Sequence, residues 1–216
     1  MVKIVAISDQ HGNLPKIPET DLLLICGDIT PTSNHHLDFQ AHWLDTEFRW
    51  WLRDLPAKHI VGIGGNHDYA LEKGLYKQFY RELPWTYLED SAATIDSLRI
   101  YGTPWQPFFF DWAWNLYEPD LKKKFDLIPE GLDILMCHGP PYGYGDKAPR
   151  VNADGYENVG SPSLLERIKL VKPKLVCYGH IHENPGRWQV GESLLSNVAL
   201  LDHKYRMVYE PQVFYL

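Results

Sequence analysis

Gly65-Asn66-His67-Asp68 closes the apolar run Ile60 to Ile63, and Gly179-His180-Ile181-His182 closes the run Leu175 to Tyr178. Three further strings stand in the same position: Ser8-Asp9-Gln10-His11-Gly12 after Val2 to Ile7, Gly27-Asp28 after Leu22 to Cys26, and Cys137-His138-Gly139-Pro140 after Ile134 to Met136. The runs are short, apolar and rich in leucine and β-branched residues, as strands buried on both faces are. Ligands of open α/β sheets gather at the carboxyl ends of the strands. All five polar strings are therefore expected on one edge of one sheet.

Working outward, Leu37, Ala41, Leu44, Phe48, Trp51, Leu52 and Leu55 recur at helical spacing and predict a helix over 38–55, closed by Pro56. Further helices are expected over 72–82 and 121–125. Another is expected from Ser161-Pro162 to Leu170, with Ser161 as its cap. Hairpins are expected at 92–95 with 98–101 and at 188–190 with 193–197, followed by strands over 205–209 and 213–215. Helices alternating with strands and interrupted by hairpins imply an α/β fold of two packed mixed sheets with helices outside.

The 216 residues, 44% of them hydrophobic, show no composition shift, linker or repeat, and one domain over 1–216 is expected. No run reaches the roughly 20 apolar residues of a membrane helix, and the first strand begins without a signal-peptide pattern. A cytoplasmic protein that does not engage membrane is expected. Cys26, Cys137 and Cys177 lie in predicted buried strands, as reduced thiols without a disulfide framework. The net charge of -7 disfavours binding to long nucleic acid, which relies on many Lys and Arg contacts. A small phosphodiester or nucleotide remains compatible with it.

Each string alone is weak, and the set is not. His180-Ile181-His182 is the strongest member, since alternation along a strand would put both imidazoles on one face. Carboxylates, imidazoles and an amide oxygen suit borderline divalent ions such as Mn, Fe or Zn, with no thiolate required. Two such ions bring a charge of +4 against -2 from Asp9 and Asp28, leaving a centre that attracts phosphate despite the acidic surface.

In order and type, the five strings resemble those of the calcineurin-like metallophosphoesterase superfamily, from the first strand to His182. That resemblance implies a four-layer α/β/β/α sandwich of two mixed sheets flanked by helices. It implies two divalent metal ions, one on Asp9, His11 and His182 and the other on Asn66, His138 and His180, with Asp28 bridging them. It also implies in-line attack at phosphorus by a metal-bridging hydroxide. His67 then looks like the histidine that contacts the phosphoryl group and protonates the leaving oxygen, with Asp68 orienting its ring.

Gly27-Asp28-Ile29-Thr30 lacks the Asp-Arg-Gly of the protein Ser/Thr phosphatases of that superfamily. Gly102-Thr103-Pro104-Trp105-Gln106-Pro107, His138-Gly139-Pro140-Pro141 and Gly179-His180-Ile181-His182-Glu183 are similar to the brain-type metallophosphoesterase-domain proteins, which group with class III cyclic nucleotide phosphodiesterases. Tyr144 stands where that group carries a histidine. The expected activity is a metal-dependent phosphodiesterase, with cyclic nucleotides among its candidate substrates. The alternatives are a phosphomonoesterase, a nuclease, or a scaffold that has lost catalysis. Phe108, Phe109, Phe110, Trp112 and Trp114 make 105–117 the most aromatic stretch. It could stack a nucleobase, with Trp105 placed at the pocket beside Asn66 and His67 as substrate contacts. The same rings could instead pack internally or form the contact of a homodimer. Arg150, Asn152, His35 and His36 are further candidates for the cleft.

Overall fold

The computed structural model describes residues 1–78 and 82–216. In chain order its strands are β1 (Lys3–Ile7), β2 (Thr20–Cys26), β3 (Ala57–Ile63), β4 (Thr86–Tyr87), β5 (Ser91–Ile95), β6 (Leu98–Thr103), β7 (Gln106–Pro107), β8 (Asn115–Leu116), β9 (Ile134–Cys137), β10 (Lys147–Pro149), β11 (Tyr156–Asn158), β12 (Leu175–Tyr178), β13 (Gly186–Val190), β14 (Ser193–Asn197) and β15 (Gln212–Tyr215). The α-helices are α1 (Leu37–Trp43), α2 (Arg49–Asp54), α3 (Tyr69–Glu72), α4 (Glu118–Phe125) and α5 (Pro162–Val171). A π-helical turn over Leu44–Phe48 joins α1 to α2, so the predicted helix over 38–55 is continuous but widened at its centre.

One sheet runs in the order β15-β1-β2-β3-β4, with β15 antiparallel to β1 and the rest parallel. The other runs β13-β14-β12-β9-β6-β5, with parallel strands at its centre and an antiparallel partner at each edge. Alternation along buried strands makes the layers. Ile4, Ala6, Leu22 and Leu24 of the first sheet pack on Ile100, Ile134, Met136 and Leu175 of the second. The opposite faces of the same strands carry Val5, Ile7, Leu23 and Ile25, which pack on Trp43, Leu44, Phe48 and Leu52 of the α1–α2 rod. Leu135, Val176 and Tyr178 pack outward on Leu121 and Phe125 of α4 and Leu164 and Ile168 of α5. Four layers, helix, sheet, sheet and helix, follow from this period of two.

Several expectations change. The strings do not lie on one sheet: three follow strands of the first sheet and two follow strands of the second, and the carboxyl edges meet. Over 72–82 the chain turns at Gly74, whose φ of +66° favours glycine, and resumes as a 3₁₀ turn at Leu75–Gln78. Residues 79–81 of that predicted helix lie outside the described residues. No strand forms over 205–209, because the Asp202 carboxylate accepts from the backbone N–H groups of Lys204 and Arg206 and from the Arg206 guanidinium, which curls the segment into a loop. Ser161 caps α5 as expected, accepting from the Leu164 N–H at 3.2 Å.

Candidate metal centre

Asp9, His11, Asp28 and His180 all adopt left-handed backbone conformations, with φ of +55°, +43°, +52° and +68°. Such conformations cost about 1 to 3 kcal/mol each and persist where the surroundings over-determine them. Here the hydrogen bonds do so. Asp9 N–H donates to Gly27 O, His11 N–H to Asp28 O, and His180 N–H to both oxygens of Asp9 at 3.0 and 2.9 Å. The last bonds join the two sheets at their carboxyl edges. Gly179 lies so close to the Asp9 carboxylate and Ser8 that a Cβ there would run into both.

The strings converge on two adjoining groups. In the first, His11 Nε2 lies 3.3 Å from His182 Nε2, and His182 Nε2 lies 3.3 Å from Asp9 Oδ1. In the second, Asn66 Oδ1 lies 2.8 Å from both His138 Nε2 and His180 Nδ1. Asp28 stands between, with Oδ2 at 3.5 Å from His11 Nε2 and Oδ1 at 3.5 Å from His138 Nε2. His180 and His182 leave the regular strand before they arrive, so it is the loop after Tyr178 that sends them to different groups, not alternation along β12.

The donor set fits divalent cations. Metal–ligand bonds of about 2.0–2.2 Å place neighbouring donors about 3.0–3.5 Å apart, the spacing found between most of these atoms. His138 Nδ1 faces Cys26 O at 2.9 Å and His182 Nδ1 faces Asp202 O at 3.2 Å. In the neutral imidazoles, donation to those carbonyls leaves each Nε2 with its lone pair toward the group, the arrangement that outer partners impose on metal-ligating histidines. Asp9, Asp28 and His138 form one compact set of potential donors, and Asp9, His11 and His182 another.

The two carboxylates stay ionised despite their burial. Burial works against ionising Asp9, but its hydrogen bond with His182 and the nearby imidazoles lower its pKa to about 2. Burial opposes ionisation of Asp28 as well, and His138 and His67 hold it well below the usual carboxylate range. The two carboxylates overcome burial at His138 and raise it to about 9. Burial lowers His11 to about 4, and burial with the neighbouring His138 lowers His180 to about 3.

Two expectations fail on geometry. The Asp68 carboxylate does not reach the His67 ring. It accepts from the N–H groups of Ile29, Thr30 and Gly65 and from the Thr30 hydroxyl, and so ties the loop after β2 to the loop after β3. The group beside His67 is His35, whose Nε2 lies 3.2 Å from His67 Nδ1. Trp105 lies away from the pocket, because its Nε1 donates to Asp90 at 2.8 Å and Lys124 covers its ring at 4.3 Å.

The ring at the cleft is Trp112, whose centroid is 4.8 Å from that of His67. The short β7–β8 ribbon folds residues 108–114 back over the site, with the Ala113 N–H bonded to Asn66 O. Glu183, His203 and Tyr205 also line the cleft. Tyr205 covers the rings of His11 and His182 at 5.0 and 5.1 Å. Only the aromatic density of 105–117 hinted at Trp112, and nothing in the sequence marked Tyr205. Arg150 sits in the β10–β11 hairpin, its N–H bonded to Gly155 O, and neither it, Asn152 nor His36 lines the cleft.

Known proteins are similar to this chain in sequence and fold. The calcineurin-like phosphoesterase family covers residues 2–184. Metallophosphoesterase domain-containing protein 1 of Homo sapiens is 33% identical over 98% of this chain and 70% of its own length. A UPF0046 protein of Caenorhabditis elegans is 32% identical over 99% of this chain and 80% of its own. Among solved structures, the phosphopantetheinyl hydrolase of Mycobacterium tuberculosis shares the fold with a TM-score of 0.60 at 13% identity, over 94% of this chain and 90% of its own. The five strings, the two adjoining donor groups and these matches agree: the chain belongs to the calcineurin-like phosphoesterases, a family of hydrolases that bind divalent metals.

Proposed function

We propose that this chain hydrolyses small phosphodiesters, nucleotides among them, using two divalent ions held side by side. The forked carboxylate of Asp28, with one oxygen toward His11 and the other toward His138, carries the reading. Asp9, His11 and His182 would hold one ion and Asn66, His138 and His180 the other, with Asp28 shared. Mn, Fe and Zn suit this mixed set of oxygen and nitrogen donors. Such a pair supplies the positive charge that stabilises an in-line displacement at phosphorus and makes water acidic enough to attack near neutral pH.

The side chains around it do the positioning and the proton transfer. The backbone N–H of His67 donates to Asp28 Oδ1 at 2.8 Å, which fixes where its imidazole enters the cleft. From there His67 would donate a proton to the departing oxygen. His35 holds the far nitrogen of that ring. Burial and the neighbouring His67 keep His35 below the ordinary histidine range, so it stands ready as a neutral acceptor. Trp112 packs its ring against that of His67, with centroids 4.8 Å apart. Asp68 is a positioning residue, acting through the loops it ties together.

No Lys or Arg lines the cleft among the described residues. A dianionic monoester is usually gripped by such groups, whereas a diester carries one charge fewer, which supports the diester reading. The three free, buried cysteines fit a reducing compartment, and we assign the protein to the cytoplasm on that ground. The test is a comparison of bis(p-nitrophenyl) phosphate with p-nitrophenyl phosphate after loading with Mn, Fe or Zn. A higher kcat/KM is expected on the diester. A higher value on the monoester would replace this reading with a phosphomonoesterase, and no hydrolysis of either would leave a binding protein.

A further inference from the structure

A cavity of about 410 Å³ opens beside the candidate metal centre and shares Trp112, His180 and Glu183 with it. Its volume lies within the ~300–1,000 Å³ of small-molecule sites. Two excursions from the sheets build its walls: the β7–β8 ribbon supplies Phe109 and Trp112, and the β10–β11 hairpin supplies Val151 and Glu157. Phe109 meets Trp112 edge to face, with centroids 5.3 Å apart. Phe109 is 40% exposed and Val151 57% exposed, so neither is needed to fill the core. The only Asp, Glu, Lys or Arg side chains among its lining residues are the carboxylates of Glu157 and Glu183.

We propose that this cavity is the subsite for the organic arm of the diester, built for a planar, uncharged ring with N–H donors and closed to an arm bearing a second phosphate. The inference rests on the phosphodiesterase reading above. Sharing His180 and Trp112 puts the cavity within reach of whatever is esterified to a phosphate held by the two donor groups. Trp112 and Phe109 offer aromatic surface on which a flat ring stacks, a contact that tolerates the identity of the ring. Glu157 and Glu183 accept hydrogen bonds from N–H groups on the ring edge and repel a further anion. Glu157 lines only this cavity and not the cleft. It is a specificity-determining residue, remote from the chemistry.

Three diesters that all release p-nitrophenolate test this: methyl p-nitrophenyl phosphate, the p-nitrophenyl ester of thymidine 5′-phosphate, and the same ester with a 3′-phosphate. Their kcat/KM values are compared within each enzyme, so a general loss of catalysis cancels. The metal-loaded wild type is expected to prefer the thymidine ester over the methyl ester by about tenfold, the scale of one stacked ring. It is expected to disfavour the 3′-phosphorylated ester relative to its parent by about fivefold, the scale of one like-charge contact across ~4 Å of water. Phe109→Ala should bring the first ratio toward one, and Glu157→Lys should bring the second ratio to one or invert it. Wild-type hydrolysis of all three with equal efficiency, or a Glu157→Lys ratio within twofold of wild type, overturns the subsite and leaves the phosphodiesterase reading intact. Hydrolysis of none of them overturns both.

Discussion

Nε2 of His11 faces Nε2 of His182 at 3.3 Å, although 171 positions separate them in sequence. In the neutral ring, with Nδ1 of His182 donating to the Asp202 carbonyl, Nε2 has its lone pair turned toward His11 and the Asp9 carboxylate. A cation bound between these groups would stabilise the native state, because the unfolded chain does not hold them together.

Metal removal should therefore soften the protein. At a metal concentration 100 times its dissociation constant, binding to the native state alone adds about 2.7 kcal/mol. For a chain of this size each kcal/mol moves Tm by about 2–4 °C, so a chelator should lower Tm by about 5–10 °C. Thermal scans with and without EDTA, followed by Mn re-addition, check it. An unchanged Tm would contradict the cation-binding role of these residues.

Metal uptake should depend on pH in one direction. A ligating imidazole must be neutral, and the neighbouring carboxylates hold a proton on His138 up to a pKa of about 9 despite its burial. Below that value the metal must displace this proton. Apparent affinity for the ion at His138 should rise by about tenfold per pH unit toward pH 9 and level off above it, and His182, raised despite its burial by its hydrogen bond with Asp9, adds proton release at the other ion. His11 and His180, lowered to about 4 and 3, are already neutral there and add no slope. Calorimetric titrations in two buffers of different ionisation enthalpy at pH 7.5 should show net proton release. Affinity constant from pH 6 to 9 would count against it.

His67→Ala should lower kcat by about 10²–10⁴ while the metal content stays at the wild-type level. The loss should be larger for an alkoxide leaving group than for p-nitrophenolate, which departs without a proton. His35→Ala should slow the same step by a smaller factor. Equal losses with both leaving groups would remove His67 from the protonation step.

Asp68→Ala should behave differently. It strips the acceptor from the N–H groups of Ile29, Thr30 and Gly65, and each buried donor left unpaired costs about 1–3 kcal/mol. Tm and activity should fall together, with no dependence on the leaving group. A variant of wild-type stability that is selectively slow on alkoxide leaving groups would restore Asp68 to the role of orienting His67.

Much of this was legible in the chain. The apolar runs and the strings that close them located β1, β2, β3, β9 and β12 and the polar residues that meet at their ends, because buried strands leave a strong local pattern. What was not legible depends on contacts between distant segments. Nothing local distinguishes Trp105 from Trp112: one is captured by Asp90 and Lys124, and the other is carried over His67 by a two-residue ribbon. Tyr205 reads as strand because its neighbours alternate, until Asp202 bonds forward along its own backbone and curls the loop. His35 reaches His67 only through the fold, and Asp68, one residue from His67, turns the other way to serve the loops.

The most direct test of the proposal that two ions share the Asp28 carboxylate is the metal content of wild type and Asp28→Ala, measured by plasma mass spectrometry after loading with Mn and desalting, alongside hydrolysis of bis(p-nitrophenyl) phosphate. Two ions per chain with activity in the wild type, and a loss of both metal and activity in Asp28→Ala, are the predicted results. A single ion per wild-type chain at saturation, or full activity in the metal-free protein, would contradict the account.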